Sequence, residues 1–445
     1  MMFEIVSTTI DRVRVGFLCV AWIAALTQVL TDVFFIWIVN IGVISFVIFL
    51  ILTFYRLRRD TLMIVSILVF VGYVLLPKFP TTADWFEGGR NVLIFTALLP
   101  TMALVRATAT MMPSVLLTQK SLSNLPPSAA AGGFHIAANF FGAIINTGSL
   151  AILSAALPKN VNASDRLAAA EAALRGMVTA AAWSPFFIAF AVGQAFVGEL
   201  HAWVAIGIGV ITSGLFTIIS LPILSRGVSI KTLRMAFSCL RPVLFRLLII
   251  LSAVLISALS FGFTALSSVV VVMPILVIVQ FARHRHHVKS IVMKVGSEMK
   301  KIGDDILIIS LAMLIGYFAT RAGAFSTIIS DLHSGMIPGW FALITTPLVM
   351  MILSVFGIHP VISSTALLAI FSGGRADVNP ALLMQAHLIG WGAGTMSSIA
   401  SLSVIMCSSL YKVPSRKLVF GNNFLAALFY ALVGGCILSL INFLV

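Results

Sequence analysis

Three groups of polar residues interrupt otherwise apolar sequence, and each occurs twice, with its two copies roughly 213 residues apart. The first is Asn146-Thr147-Gly148-Ser149, answered by Gly357-Ile358-His359-Pro360 with Ser363-Ser364-Thr365 behind it. The second is Trp183-Ser184-Pro185, answered by Gly394-Thr395-Met396-Ser397-Ser398. The third is a single arginine, Arg106 in one copy and Arg321 in the other. Hydroxyls, an amide and an imidazole without a paired carboxylate suit the binding of an anion or a small ion. A helix broken inside a membrane leaves free N–H groups and a positive dipole end on one side of the break, which favours an anion. It leaves free carbonyls on the other side, which could hold a cation such as Na+. Gly148 permits a tight turn. Pro360 has no donor and disfavours helix at His359, so it motivates a break there. Pro185 frees a carbonyl one turn earlier, which Ser or Thr hydroxyls can re-satisfy.

His359 has a reference pKa near neutral, so it suits a proton carrier, a neutral hydrogen-bonding group or a packed side chain. Each break also has a plainer reading, a Gly/Ser or Pro kink in a packed helix whose hydroxyls bond back to its own carbonyls. Arg106 and Arg321 sit near the ends of apolar segments. Alone, each would snorkel to the interface; as a matched pair they could grip a hairpin or steer an anion. His135, Asn139 and His387 are polar and embedded in apolar sequence, with no spacing that ties them to the breaks.

Such groups need helices to hold them. The chain has 445 residues, 60% of them hydrophobic and 9% charged, with a mean hydropathy of +1.11, which excludes a soluble globular domain. Its long apolar segments indicate an all-α polytopic membrane protein, and the short alternating strands of a β-barrel are absent. Candidate spans are 15–31, 34–55, 61–76, 91–113, 176–198, 200–224, 247–262, 264–281, 304–322, 381–410 and 418–444. No small-residue cleavage site follows the first basic residues, so the first span reads as retained. The net charge of +14 lies in short loops, where it orients the chain and meets anionic headgroups, so nucleic acid is not expected as a partner. Cys19, Cys239, Cys407 and Cys436 lack metal-ligand spacing and read as packing residues. The Arg283-His284-Arg285-His286-His287 run reads as an orientation signal and not as a metal tract. No Walker motif, HExxH or nucleophile elbow occurs, so an enzyme and a bound cofactor are not expected.

Two further apolar regions, 130–157 and 338–373, could each be one crossing or a re-entrant hairpin. With a cytoplasmic N-terminus and two hairpins, every one of the 28 lysines and arginines falls on the cytoplasmic side except Lys78, Arg90, Arg106, Arg321 and Arg375. A single crossing at 130–157 would move the basic loops 225–246 and 282–303 outside, so the hairpins are preferred. The expected organisation is then a leader with the first helix (1–33), a first repeat (34–224), a basic cytoplasmic connector (225–246) and a second, inverted repeat (247–445). About eleven spans and two opposed hairpins result.

That order of elements resembles the ion transporter superfamily, and most closely the architecture of the divalent anion–sodium symporters. Members have about eleven spans, two opposed hairpins, the N-terminus inside and the C-terminus outside, and a Ser-Asn-Thr signature at each hairpin tip. Here Ile145-Asn146-Thr147-Gly148-Ser149 keeps Asn-Thr without the leading Ser, and the second tip has no Asn. This points to a different branch of the superfamily. The function expected is secondary active transport of a small anion, an organic acid, across a bacterial inner membrane. It would be coupled to H+ or Na+ and work by elevator-type alternating access. In that scheme hairpins and interrupted spans form a transport domain, and spans 34–76 and 247–281 form a scaffold that could also make a homodimer interface. A cation/proton antiporter of the same superfamily is the alternative, but no Asp or Glu lies deep in a span; an integral-membrane enzyme acting on a lipid-linked substrate comes next, but Asp84, Glu87, Arg90 and His333 make no persuasive catalytic cluster.

Overall fold

The computed structural model describes residues 2–31, 35–76, 79–158, 161–224, 230–283, 285, 288–323, 336–372 and 376–445. Lys78, Lys159, Arg226, His284, His286, His287, His333 and Arg375, and positions 225–229 of the connector, lie outside the described residues. In chain order the helices are α1 (Met2–Thr31), α2 (Ile36–Phe54), α3 (Arg59–Leu75), α4 (Thr82–Ala109), α5 (Pro113–Ser123), α6 (Pro127–Ile145), α7 (Gly148–Ser154), α8 (Ala163–Thr179), α9 (Ile188–Val197) and α10 (Glu199–Leu224). There follow α11 (Ile230–Phe261), α12 (Ala265–Arg283), α13 (Val288–Met299), α14 (Gly303–Arg321), α15 (Gly339–Val355), α16 (Pro360–Ser372), α17 (Pro380–Ser397), α18 (Leu402–Tyr411), α19 (Ser415–Val419) and α20 (Asn422–Leu444). Among the described residues the only β pairing is an isolated bridge between Ile337 and Ala376.

This is the architecture of a polytopic helical membrane protein. Among the described residues, eight helices are long and apolar enough to cross a membrane, or nine if α17 and α18, bent by 43° at their break, form one span. Two segments read as spans fall outside this set. The apolar part of α3, Thr61–Leu75, is short, and 176–198 is divided by a break between α8 and α9. Residues 230–246, read as connector loop, are instead the first half of α11. At 32 residues α11 would be roughly 48 Å long, well beyond a hydrocarbon core of about 30 Å. Its basic first half can therefore stay helical while lying in the interface.

The chain divides into two compact units that do not follow the sequence halves. Unit 1 comprises residues 1–108 and 253–332; unit 2 comprises 109–252 and 333–445. In unit 1, α1 packs along α2, and a side chain at Gly42 would run into Ala24. The polar contacts of this unit sort by helix end. Arg56 pairs with Asp11 at 2.7 Å, and Asp304 takes both the Arg58 guanidinium at 3.0 Å and the Thr61 hydroxyl at 2.7 Å. Arg14 donates to the Lys300 carbonyl. Asp11 and Arg14 lie in the first half of α1, and the others sit at the starts of α3 and α14, just past the end of α2 and just after α13. At the opposite ends of α1 and α2, Gln28 and Asn40 meet Arg90 of α4, whose guanidinium donates to Asn40 at 3.2 Å and whose carbonyl accepts from Gln28 at 3.3 Å. Helices that cross side by side in alternating directions produce this segregation, because charge is stable only at the wet ends.

Unit 2 holds the remaining polar sequence. Its most intimate helix pairs are α6 with α8 and α15 with α17. Both are zipped by small residues: a Cβ at Gly176 would come within 2.0 Å of the His135 carbonyl oxygen, and one at Gly390 within 2.8 Å of Pro347 Cα.

Candidate functional site

The breaks expected from sequence lie in unit 2, and each has its own stereochemical cause. Between α6 and α7 the chain turns at Asn146, which takes φ 50°, a conformation tolerated by Asn better than by most residues. The Ser149 N–H and hydroxyl both donate to the Asn146 carbonyl, at 3.0 and 2.7 Å. Thr147 is nearly buried beside it, and Gly148 opens α7, which has only seven residues.

Between α15 and α16 the helix end closes as a Schellman motif. Gly357 takes φ 84°, its N–H donates to the Ser354 carbonyl at 3.0 Å, and the Ile358 N–H donates to the Leu353 carbonyl at 3.1 Å. Pro360 then starts α16, where its missing N–H costs nothing. His359 acts as the cap of that helix, its Nδ1 accepting from the Val361 N–H at 3.2 Å.

The interruption after α8 begins with a 3-10 turn, Ala180–Ala182, and runs to Phe187. Pro185 and the turn free backbone carbonyls that side chains from distant helices then occupy. Gln385 of α17 accepts the Thr212 hydroxyl at 2.9 Å and donates from its nitrogen to the Ala182 and Ala205 carbonyls, each at 3.1 Å. Ser184 donates its hydroxyl to the Ala143 carbonyl near the end of α6 and accepts from the Phe186 N–H at 3.2 Å. Asn139 of α6 donates to the Gly176 carbonyl, the Thr179 hydroxyl and the Ser213 hydroxyl, at 3.0–3.3 Å, and accepts from the Trp183 indole at 3.3 Å. The second interruption lies later than expected. α17 runs helically through Thr395 and Ser397, and the chain breaks at 398–401.

A second polar group joins α16, α17 and α9. His387 Nε2 lies 2.8 Å from the Ala189 carbonyl, which can only accept, so this nitrogen carries the proton. Its Nδ1 therefore accepts from the Ser364 hydroxyl at 2.9 Å. The Trp391 ring stands edge-on to both His387 and His359, with centroids 5.8 and 6.0 Å away. The other hydroxyls are occupied locally: Ser363 bonds back to Pro360, Thr365 to Val361 and Ser397 to Gly394. Ser398 is buried at the break and Thr395 is half-buried.

Arg106 and Arg321 belong to unit 1, where both are ion-paired. Arg106 meets Glu298 at 3.2 Å, and Arg321 meets Glu87 and the Tyr317 hydroxyl. Each arginine reaches a residue from the other sequence half. Arg175, expected in a cytoplasmic loop, is instead fully buried on α8, with Nη1 donating to Asn423 at 2.8 Å. Nearby Glu171 is 5% exposed.

Local sequence assigns no role to His387 or Asn139 and does not single out Gln385, Trp391 or Glu171. A signal was present for the first four, since each is a polar or amphipathic side chain on a helix that is otherwise apolar. A scan against protein-family models finds no match to this chain, and a search of curated proteins finds none similar to it.

Proposed function

We propose that this protein is a secondary active transporter that moves a small anion, an organic acid, across the membrane by alternating access. One observation carries the reading. In both stretches of unit 2 a long helix, a tight tip, a second helix and a broken helix follow in the same order. The starts of α6 and α15, α7 and α16, and α9 and α18 are each roughly 213 residues apart. Paired interrupted helices around a polar interior are how transporters expose backbone dipoles to a substrate. Inverted repeats would bring the two hairpins in from opposite membrane faces with both tips inside the membrane, and the positive-inside rule makes the basic helix ends of unit 1 cytoplasmic. Hydroxyls, amides and neutral imidazoles at the breaks favour an anion over a metal cation.

The direct test is uptake into proteoliposomes from a panel of radiolabelled organic acids under imposed H+ or Na+ gradients. Saturable accumulation of at least one acid, lost when the gradient is dissipated, is the expected result. Thr147→Ala should then weaken apparent affinity about tenfold, the equivalent of one hydrogen bond to a charged ligand, with normal expression. Absence of uptake across the panel under either gradient would remove the reading.

Orientation has its own test. Ser164 is exposed at the start of α8. Ser164→Cys, in a background with Cys19 and the exposed Cys436 replaced by Ser, should react in intact cells only with a membrane-permeant maleimide. Reaction with an impermeant maleimide would place this helix end outside and break the hairpin topology.

A further inference from the structure

Unit 2 contains one acidic side chain that is both buried and reachable. Glu171 lies on α8, ahead of the interrupted span, and lines an open groove of about 500 Å3 together with Leu167, Arg416, Lys417, Phe420 and Asn422. Its carboxylate accepts from the Asn422 side chain at 3.1 Å, at the start of α20. It also rests against the bare backbone of Gly421, where a Cβ would come within 2.8 Å of Oε1. An ionised carboxylate here therefore ties the first residues of α20 to α8.

We propose, building on the transport reading, that Glu171 is the proton-binding site that couples transport to a H+ gradient, loaded through this groove. Ionised, Glu171 holds Asn422 and fixes α8 against α20. Protonated, the neutral carboxyl accepts from Asn422 more weakly, and α8 is held less tightly at this end. The same helix leads after nine residues, roughly 13 Å, into the break at Ala180 whose carbonyls Gln385 and the neighbouring hydroxyls occupy. Proton occupancy is thus linked mechanically to the broken helix.

The charged surroundings allow both states. Arg175 on the same helix and Arg416 and Lys417 of α19 favour the anion, while burial disfavours it. Burial is the larger effect and pushes the Glu171 carboxyl above the usual carboxylate range. Among the other helices packed against α8, α6 brings His135, and α18 brings Cys407 and Tyr411. α20 brings the amides of Asn422 and Asn423, α17 brings His387, already held by Ser364 and Ala189, and α7 brings no titratable side chain.

The experiment compares gradient-driven accumulation with exchange in proteoliposomes. Glu171→Gln, which mimics the protonated acid, should retain exchange of labelled for unlabelled substrate but lose H+-driven accumulation at least tenfold, with a flat pH profile. Glu171→Asp should restore accumulation with a displaced pH profile. Wild-type accumulation by the Gln variant under a H+ gradient would overturn the proposal while leaving the transport reading intact. A second arm uses the unmodified protein and no substrate. Dicyclohexylcarbodiimide, which attacks protonated carboxyls in apolar surroundings, should label Glu171 in membranes, increasingly as pH falls, as read by mass spectrometry. If no acid is taken up, the transport reading falls and this labelling alone decides whether Glu171 titrates. Absent or pH-independent labelling rejects it as a proton site.

Discussion

Gly209→Ala and Gly176→Ala should each destabilise the protein by about 3 kcal/mol or more, enough to prevent folded material from accumulating. A methyl group at 209 would lie 1.8 Å from the Ala182 carbonyl oxygen and 3.0 Å from Trp183 Cα; one at 176 would lie 2.0 Å from the His135 carbonyl oxygen. These obstacles are backbone atoms, so no rotamer change relieves them. The helices must separate, and with them go the Gln385 and Asn139 bonds that satisfy the broken segment. Gly207 and Gly214 lie on the same helix, α10, with open space where a Cβ would point. Ala at either should leave the melting temperature of purified protein unchanged or slightly raised, since Ala favours helix over Gly by about 1 kcal/mol. If Gly209→Ala melts with the wild type, α10 does not rest on the interrupted segment, and the geometry assigned to the site is wrong.

How much of this was legible in the sequence differs from residue to residue. The tip at Gly357–Pro360 was readable because Gly and Pro act locally: one supplies the positive φ that closes α15, the other starts α16. Pro185 marked the first interruption for the same reason. The second interruption falls later than the residue types Thr395 and Ser397 suggest. In fact Ser397 bonds back to Gly394 and the helix continues through both, a local choice that residue type does not fix. The basic residues of 230–246 suggest a loop, yet charge at a membrane interface is compatible with helix, and α11 runs through them. What Gln385 and His387 bond to was beyond a local reading. Their partners Thr212 and Ala189 lie 173 and 198 positions away, so only the fold brings them together. Unit 1, built from residues 1–108 and the mid-chain segment 253–332, was illegible for the same reason.

Replacing His387 should affect uptake more than replacing His359, and neither change should alter the pH dependence. His387→Leu leaves the Ala189 carbonyl and the Ser364 hydroxyl without their partner in a buried place, at about 1–3 kcal/mol each. Uptake should be lost and the melting temperature lowered. His387→Gln places an amide nitrogen near the position of Nε2, so it can keep the bond to Ala189 while giving up Ser364. This variant should fold normally and transport with a weaker apparent affinity. His359 has a lighter task, since its Nδ1 only caps α16. Asn is among the best capping residues, so His359→Asn should restore the cap and transport nearly as the wild type does, whereas His359→Ala should lose about 0.5–2 kcal/mol. The pH profile of uptake separates a cap from a proton carrier. A carrier replaced by Asn can no longer bind the proton, so the profile would flatten; a cap replaced by Asn leaves the profile alone. Both imidazoles already have a nitrogen committed as acceptor to a neighbouring donor, and protonation would turn that nitrogen against its partner. A flattened profile for His359→Asn, with a normal one for Glu171→Gln, would move the coupling site from the α8–α20 groove to the α15–α16 tip.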